Sequence, residues 1–371
     1  GVAIPGWVAT FLFFLQETCN KIRKEKELKV WIPFKDVQHA KACKVYLVGK
    51  SNTKLDYYNG YHIHLWCKEN LQKLDFKIID FWVVKKDFKG YKRGQKIMNK
   101  AEMEEFVANG GKVRNISCFD KRTREAMREL LPYLDIQTPY SHGFTGNRDI
   151  FTQFQTLAEY ALKNNFSGSA ISLDLSDAFD QITKEQVYAI FKYVFDLNKK
   201  QAEELSEKCT RNGHLFQGNT LAPLLFNIWF SRFYSIIDRN IQHNHCLITN
   251  YADDITIMLE YKTASWKFIK FIIKILRQIG FKINKSKVKI RNAKNLEATG
   301  LQYKNSATGK WKVYPRNNKK LLNNIRLWEH LERQGIKTTL RLNKEGNLIT
   351  LQEMLNGLKN WFNRVNTFQP V

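Results

Sequence analysis

The tightest constraint in this chain is the tetrapeptide Tyr251-Ala252-Asp253-Asp254, two adjacent carboxylates set between the apolar runs Leu247-Ile248 and Ile255-Thr256-Ile257-Met258-Leu259. The pattern predicts a strand, a tight turn carrying the acids, and a returning strand. Adjacent acids at a hairpin tip repel each other, and they persist most easily where a divalent cation or a basic partner neutralises them. Read alone, the pair is also compatible with a solvated turn, because Asp is a common turn residue. The rest of the chain has to decide.

Charge is the first guide. Lys and Arg number 60 against 35 Asp and Glu, a formal net charge of +25 over 371 residues. A surplus of this size points to a polyanionic partner, with nucleic acid the first candidate and an anionic membrane surface the second. A basic protein without such a partner is the third reading. Hydrophobic residues at 43% and aromatics at 13% suffice for a real core, so the chain is not disordered by composition. Some aromatics are available for base stacking, although most are expected in the core. The six cysteines, Cys19, Cys43, Cys67, Cys118, Cys209 and Cys246, are scattered with no Cys-x-x-Cys pair, which favours reduced thiols in a cytosolic protein. His62, His64, His243, His245 and Cys246 fit no familiar zinc spacing. The apolar opening Gly1 to Leu15 falls short of the roughly 20 residues of a membrane span and lacks signal-peptide flanks. It is expected to be a buried helix or strand.

Along the chain, Val45 to Leu47, Tyr61 to Trp66 and Ile78 to Lys85 read as strands. The basic stretch Lys85 to Arg93 follows, either a solvated loop or a nucleic-acid contact. Lys121 to Leu134 and Asp149 to Leu162 read as helices. Ala170 to Leu175 alternates, with Ile171, Leu173 and Leu175 on one face and Ser172 and Asp174 on the other, so Asp174 is expected on the polar face of a half-buried strand. Thr183-Lys184-Glu185-Gln186 is a capping box, and Val187, Ile190, Phe191 and Val194 follow at helical spacing. Leu221 to Asn240 and Ala264 to Ile279 read as long helices, the second ended by Gly280. Two basic amphipathic helices, near Asn318 to Arg333 and Thr350 to Asn363, are separated by a polar stretch. The plan is α+β, and a small antiparallel sheet is expected to bring Asp174 alongside Asp253 and Asp254. Three carboxylates on neighbouring strands suit a two-metal phosphoryl-transfer site, and Mg²⁺ favours carboxylate and phosphate oxygens.

These motifs, taken in order, resemble those of reverse transcriptases. Leu173-Asp174-Leu175-Ser176-Asp177-Ala178-Phe179-Asp180-Gln181-Ile182 resembles the family's first catalytic motif, and Gln217-Gly218-Asn219-Thr220-Leu221-Ala222-Pro223 its Gln-Gly…Pro motif. Tyr251-Ala252-Asp253-Asp254 is similar to the signature turn, Gly280 to Lys287 to the next motif, and Thr299-Gly300-Leu301 to the last. The match covers about 200 residues, from Arg114-Asn115-Ile116 and His142-Gly143-Phe144 to Gly300.

The resemblance implies a right-hand polymerase. Residues 1–100 are expected to form an N-terminal extension and part of the fingers, 101–170 the fingers, 171–303 the palm and 304–371 a helical thumb. It implies two Mg²⁺ ions, with Mn²⁺ as the alternative, held by Asp174 and Asp253, by Asp254 as a closer or weaker ligand, and by the Leu175 carbonyl. Asp177 and Ala178 would border the incoming triphosphate through backbone N–H groups. Phe179 would be the steric gate against a 2′-OH, although a core aromatic is its other reading. Gln217 and Gly218 would line the nucleotide and template, Pro223 would start the following helix beside the template, and Tyr251 would support the primer end. Arg114 would grip the triphosphate, with Lys112 and Arg122 as weaker candidates. Lys287 would lie near the triphosphate as a proton donor to pyrophosphate, or be a solvated lysine.

Thr299-Gly300-Leu301 is similar to retron and phage-defence enzymes, yet the chain lacks an Asn-Ala-x-x-His element of the retron type, a Cys/His endonuclease motif and an RNase H acid set. The expectation is a bacterial cytoplasmic defence enzyme that copies RNA into DNA from dNTPs. Its partners would be a structured non-coding RNA and a DNA primer or product, with no membrane and with an oligomer allowed. Template-independent or protein-primed synthesis, a group II intron or retron enzyme, and an inactive RNA-binding scaffold are the alternatives.

Overall fold

The structure, a computed structural model, describes residues 53–135, 140–240, 246–260, 265–305, 311–342 and 348–368. In chain order its elements begin with α1 (Thr53–Asn70), β1 (Ile78–Val84), β2 (Lys96–Ile97), α2 (Lys100–Ala108), β3 (Val113–Phe119), α3 (Lys121–Arg128) and α4 (Leu131–Leu134). Next come α5 (Ile150–Lys163), β4 (Ser169–Asp174), α6 (Lys184–Ala189, continued by a π-turn), α7 (Lys199–Cys209), β5 (Thr210–Arg211), β6 (His214–Leu215) and α8 (Ala222–Asn240). The hairpin β7 (Cys246–Tyr251) and β8 (Asp254–Leu259) leads to α9 (Ser265–Gln278), β9 (Lys289–Asn292), β10 (Glu297–Ala298), β11 (Leu301–Asn305) and β12 (Trp311–Pro315). The chain closes with α10 (Asn318–Arg333), β13 (Thr338–Leu342), β14 (Leu348–Thr350) and α11 (Leu351–Thr367). This is the expected α+β plan with antiparallel sheets.

Two compact units emerge: Gly1–Asn147, Asp174–Gln242 and Trp266–Lys285 in one, Arg148–Leu173, His243–Ser265 and Ser286–Val371 in the other. In the first, β1 pairs with β2 and β3 in an antiparallel sheet. Its helical core is built on α8, where Phe226, Phe230 and Phe233 are fully buried and the Trp229 indole donates to the Ile279 carbonyl at 3.0 Å. Phe281 packs edge-on to Phe226, which ties the chain after α9 to the middle of α8. Burial of this kind is the main stabilising term, and truncating one such Phe to Ala costs about 3–5 kcal/mol.

In the second unit, the sheet runs β7-β8-β4-β9. Helix α5 starts at a capping box between Asp149 and Thr152 and buries Phe151, Phe154, Leu157, Ala158 and Ala161. These residues share one core cluster with Met258, Leu301, Tyr303, Val313 and Val365. Strand β4 begins against the far end of β8: a Cβ on Gly168 would lie 1.6 Å from the Leu259 carbonyl oxygen, and Ser167 Oγ donates to the Glu260 carbonyl at 3.3 Å. Only glycine admits so close an approach. Because β4 starts where β8 ends, the two run antiparallel, and the C-terminal end of β4 lies at the same end of this sheet as the β7–β8 turn.

Two sequence expectations are corrected, and one segment gains structure. Tyr61 to Trp66 lies in helix α1, not a strand. Its alternating letters mimic a strand, but the buried set is Ile63, Trp66 and Cys67, at i, i+3 and i+4. The single helix expected over Lys121 to Leu134 is two, because Pro132 lacks an N–H and its ring clashes with the carbonyl four residues earlier, at Arg128, where α3 ends. The polar stretch between the last two helices contains the hairpin β13–β14. The expectations for Gly1 to Leu15 and Val45 to Leu47 lie outside the described residues.

Candidate active site

The β7–β8 hairpin closes with Tyr251 paired to Asp254, leaving Ala252 and Asp253 as a two-residue turn. Such turns need positive φ at the first central residue, usually supplied by Gly or Asn. Here Ala252 takes it, at φ 52°. A non-glycine residue in that region costs about 1–3 kcal/mol and persists where its surroundings hold it. Part of that restraint is Asn250, fully buried, whose Nδ2 donates to the Ala252 carbonyl at 3.0 Å. One residue earlier, buried Thr249 accepts a hydrogen bond from Gln153 Nε2 of α5 at 3.1 Å. The hairpin that carries the acids is thus fixed by buried polar groups.

Strand β4 is half-buried as its alternation predicts: Ile171 and Leu173 are fully buried and Ser172 and Asp174 are not. It ends at Asp174, and its neighbour β8 begins at Asp254. Asp254 is half-buried and Asp253 is exposed at the turn. Beyond β4 the backbone makes one further bridge, Leu175 to Ile283. Its bonds run from Ser176 N–H to the Lys282 carbonyl at 3.0 Å and from Asn284 N–H to the Asp174 carbonyl at 2.9 Å. Both lie on residues flanking Leu175, so neither engages the Leu175 carbonyl.

Among the described residues no group of three or more His, Cys, Asp or Glu side chains is gathered closely enough to hold a metal ion. Carboxylate and main-chain carbonyl oxygens, the donors of Asp174, Asp253, Asp254 and Leu175, are the ligand types that a hard divalent cation takes.

Asp177 is exposed, at φ 41°, and Ala178 is buried behind it. Phe179 is half-exposed and meets the buried Phe226 edge-on, with ring centroids 5.8 Å apart. Its ring therefore has a fixed base and an open rim, between the two roles the sequence left open. Asp180 is held above the usual carboxylate range by desolvation and the nearby Asp177 charge, opposed by His214.

Gly218 has φ 104°, and a Cβ there would lie 2.4 Å from the Ser117 carbonyl oxygen. The close approach it permits is to β3, where Ser117 N–H donates to the Gln217 carbonyl at 2.9 Å. The Gln217 loop is thereby tied to the strand bearing Arg114, which is exposed. A further tie is Asp80 of β1, which accepts from Ser117 Oγ at 2.6 Å and pairs with Arg211 of β5. The Arg211 hydrogen bond holds the Asp80 carboxyl below the usual range, ahead of the opposing burial and the Ser117 bond. Pro223 sits in the first turn of α8, where its missing N–H is no loss. Lys287 closes a short 3₁₀ turn and is exposed, and Tyr251 is half-buried. Lys112 is exposed next to β3 and Arg122 is exposed in the first turn of α3.

Sequence reading missed Gln153, Thr249, Asn250 and Ser117, all buried polar residues that hold the backbone near the motifs. A polar pair at the end of an apolar strand, Thr249-Asn250, was the available signal. Asn227 is similar: it lies on a buried helix and its Nδ2 donates to the Gly143 carbonyl at 2.8 Å.

Residues 98–303 match the family model for reverse transcriptase (RNA-dependent DNA polymerase). The chain belongs to the reverse transcriptase family. Its architecture is mixed helix and antiparallel sheet, the α+β plan expected from the sequence. It is 25% identical over 236 residues to the Retron Se72 reverse transcriptase of Salmonella heidelberg (strain 579083-10), covering 62% of this chain and 57% of that protein. It is 26% identical to the Retron Ec86 reverse transcriptase of Escherichia coli, covering 47% of this chain and 52% of the relative. The chain thus spans about half the length of these curated relatives. Among solved structures, apo telomerase from Candida tropicalis, truncated from its C-terminal domain, aligns with a TM-score of 0.44 at 14% identity, covering 62% of this chain and 64% of that one. Among the described residues no helix is long and apolar enough to cross a membrane.

Proposed function

We propose that this reverse transcriptase family member synthesises DNA from dNTPs on an RNA template by two-metal phosphoryl transfer. The observation that carries the reading is that β4, ending in Asp174, lies beside β8, beginning at Asp254, within the segment that matches the family. Asp174 and Asp253, with Asp254 and the Leu175 carbonyl, would hold two Mg²⁺ or Mn²⁺ ions. When bound, such ions stabilise the attacking and leaving oxygens of the displacement.

The chain's own groups do the rest. Arg114 and Lys287 draw the triphosphate by charge, and Lys287 gives a proton to the departing pyrophosphate. The backbone at Asp177 and Ala178 borders the phosphates. The half-exposed Phe179 ring excludes a 2′-OH, so deoxynucleotides are selected. Gln217 and Gly218 line the nucleotide and template, and Tyr251 and Pro223 support primer and template. In this reading residues 1–100 and 101–170 make up the N-terminal extension and fingers, 171–303 the palm and 304–371 the thumb. The basic helices α10 and α11 hold the template–primer duplex by its phosphates. We further infer a bacterial, cytoplasmic enzyme with a dedicated structured RNA and an anti-phage role; the retron reverse transcriptases of Salmonella and Escherichia coli support the bacterial part of that reading.

The test is extension of a DNA primer on an RNA template with Mg²⁺. The parent is expected to extend it, with dNTPs strongly preferred over rNTPs. Polymerisation by an Asp253→Asn, Asp254→Asn variant at the parent's rate would show the assignment to be wrong.

A further inference from the structure

Several lysines on this protein's helices pair with an acid. Lys100 pairs with Glu104 on α2 at 3.6 Å, and Lys199 with Glu203 and Lys200 with Glu204 on α7 at 3.8 and 3.9 Å. On the C-terminal helices Lys359 reaches Glu329 at 2.8 Å. Helix α9 departs from this habit. Its sequence, Ser-Trp-Lys-Phe-Ile-Lys-Phe-Ile-Ile-Lys-Ile-Leu-Arg-Gln, contains no Asp or Glu. Lys267, Lys270, Lys274 and Arg277 stand at i, i+3, i+7 and i+10, which is one helical face. None of the four side chains makes an ion pair or hydrogen bond among the described residues. Like charges at this spacing repel by a few tenths of a kcal/mol per pair, so the stripe opposes helix stability as it stands.

At the head of the stripe Trp266 is 65% exposed, the most exposed large hydrophobic side chain among the described residues. The opposite face is fully used: Phe268, Ile269, Phe271, Ile272, Ile275 and Leu276 are all buried. That argues against a bilayer, because a membrane-surface helix inserts its apolar face, and this one is already in the protein core.

We propose that the solvent face of α9 is an RNA-binding surface, with Lys267, Lys270, Lys274 and Arg277 on successive phosphates of one strand and Trp266 stacked on an unpaired base. The dimensions agree. Ten residues of helix rise about 15 Å, long enough for the four cations to meet several phosphates of one strand. Unpaired bases of loops and bulges are what aromatic side chains recognise in RNA. None of the five residues belongs to a polymerase motif: they lie between Tyr251-Ala252-Asp253-Asp254 and Gly280 to Lys287. The surface is therefore a second RNA contact, suited to tethering a structured RNA while another part of it is copied. It rests on the reading of this protein as an RNA-copying polymerase for the choice of RNA over other polyanions.

The test uses a fluorescein-labelled RNA hairpin with an unpaired loop, bound by the full chain while unlabelled poly(rA)–oligo(dT) saturates the polymerase substrate site. Lys267→Gln, Lys270→Gln and Lys274→Gln together are expected to weaken hairpin binding at least tenfold. They should also flatten the slope of log affinity against log salt by about 2–3, at about 0.7–0.9 per lost phosphate contact. Trp266→Ala is expected to lose about tenfold and Trp266→Phe to stay near the parent. Arginine at the three lysine positions should restore both affinity and slope, which separates charge from folding. Extension of poly(rA)–oligo(dT) should be unchanged in every variant. Unchanged hairpin affinity and salt slope in the triple Gln variant would overturn the proposal, as would loss of binding to phosphatidylserine vesicles with hairpin binding intact. A parent that extends no primer would defeat the polymerase reading but leave the hairpin measurement able to decide this one.

Discussion

The sheet β2-β1-β3 and the sheet β7-β8-β4-β9 share antiparallel pairing, yet they treat solvent in opposite ways. In the first, only Val84 of β1 is buried, Ile79 is 38% exposed, and β3 presents Arg114 and Asn115 to water. In the second, β8 is buried from Ile255 to Leu259 on both faces, and β7 and β4 are nearly so. A half-wet sheet suits long basic side chains that must reach a mobile phosphate. A sheet covered on both faces can hold backbone geometry at its end, because buried polar groups such as Thr249 and Asn250 have few alternative partners. The acids stand on the covered sheet, and Arg114, the proposed triphosphate contact, stands on the wet one.

The largest expected effect tests whether the rigid sheet carries the chemistry. Asp253→Asn keeps size and hydrogen bonding while removing the charge. It should reduce kcat by about three orders of magnitude, comparable to loss of a strongly preorganised electrostatic group, with little change in thermal stability because the side chain is exposed at the turn. Full activity in steady-state primer extension would move the chemistry elsewhere.

Next comes the junction between the wet sheet and the Gln217 loop. Gly218→Ala puts a Cβ against the Ser117 carbonyl at a backbone angle that alanine resists, and should destabilise the fold by about 1–3 kcal/mol. If the loop also lines the nucleotide, KM for dNTP should rise in the same variant. A chemical-denaturation midpoint equal to the parent's would remove the close packing from the account.

A third change separates polarity from packing in the covered sheet. Gln153→Leu leaves Thr249 buried without its amide donor and should cost about 1–3 kcal/mol. Adding Thr249→Val removes the orphaned hydroxyl and should recover most of that stability. If the polar pair also positions the hairpin, kcat stays low in the double variant although the melting temperature returns. Recovery of both would assign the pair to stability alone.

Much of the covered sheet was legible from its residues. The alternation of Ile171, Leu173 and Leu175 is a period-two signal, and the unbroken run Ile255 to Leu259 is what a strand buried on both faces requires. In the wet sheet β1 was legible as a strand, whereas β2, with only two residues, and β3, with its polar Arg114, Asn115 and Ser117, were not. Helix α1 misled because histidines placed between apolar residues imitate a strand. Gln153 was invisible for a different reason: its partner Thr249 is distant in sequence, and only the folded sheet brings an amide to a hydroxyl. The reach of Gly218 toward Ser117 is a long-range contact of the same kind.

The smallest effect concerns the wet sheet alone and is a matter of pH. Asp80 is bonded by Arg211 and Ser117, and its carboxyl titrates below its ordinary value in the folded protein. A group whose folded pKa is depressed contributes stability that is fully present above its unfolded pKa, near 3.9, and disappears as pH falls through the folded pKa. Asp80→Asn should therefore lower the melting temperature modestly at pH 7, where the carboxylate is charged in both states. The difference from the parent should narrow only as pH drops below about 4. Because the pair is partly exposed, salt should shrink the pH 7 difference as well. The Gln153→Leu variant, whose lost bond involves no titrating group, should show a gap that neither salt nor acid closes in this way. A salt-independent gap for Asp80→Asn would mean that this corner of the wet sheet is held by packing, as the covered sheet is.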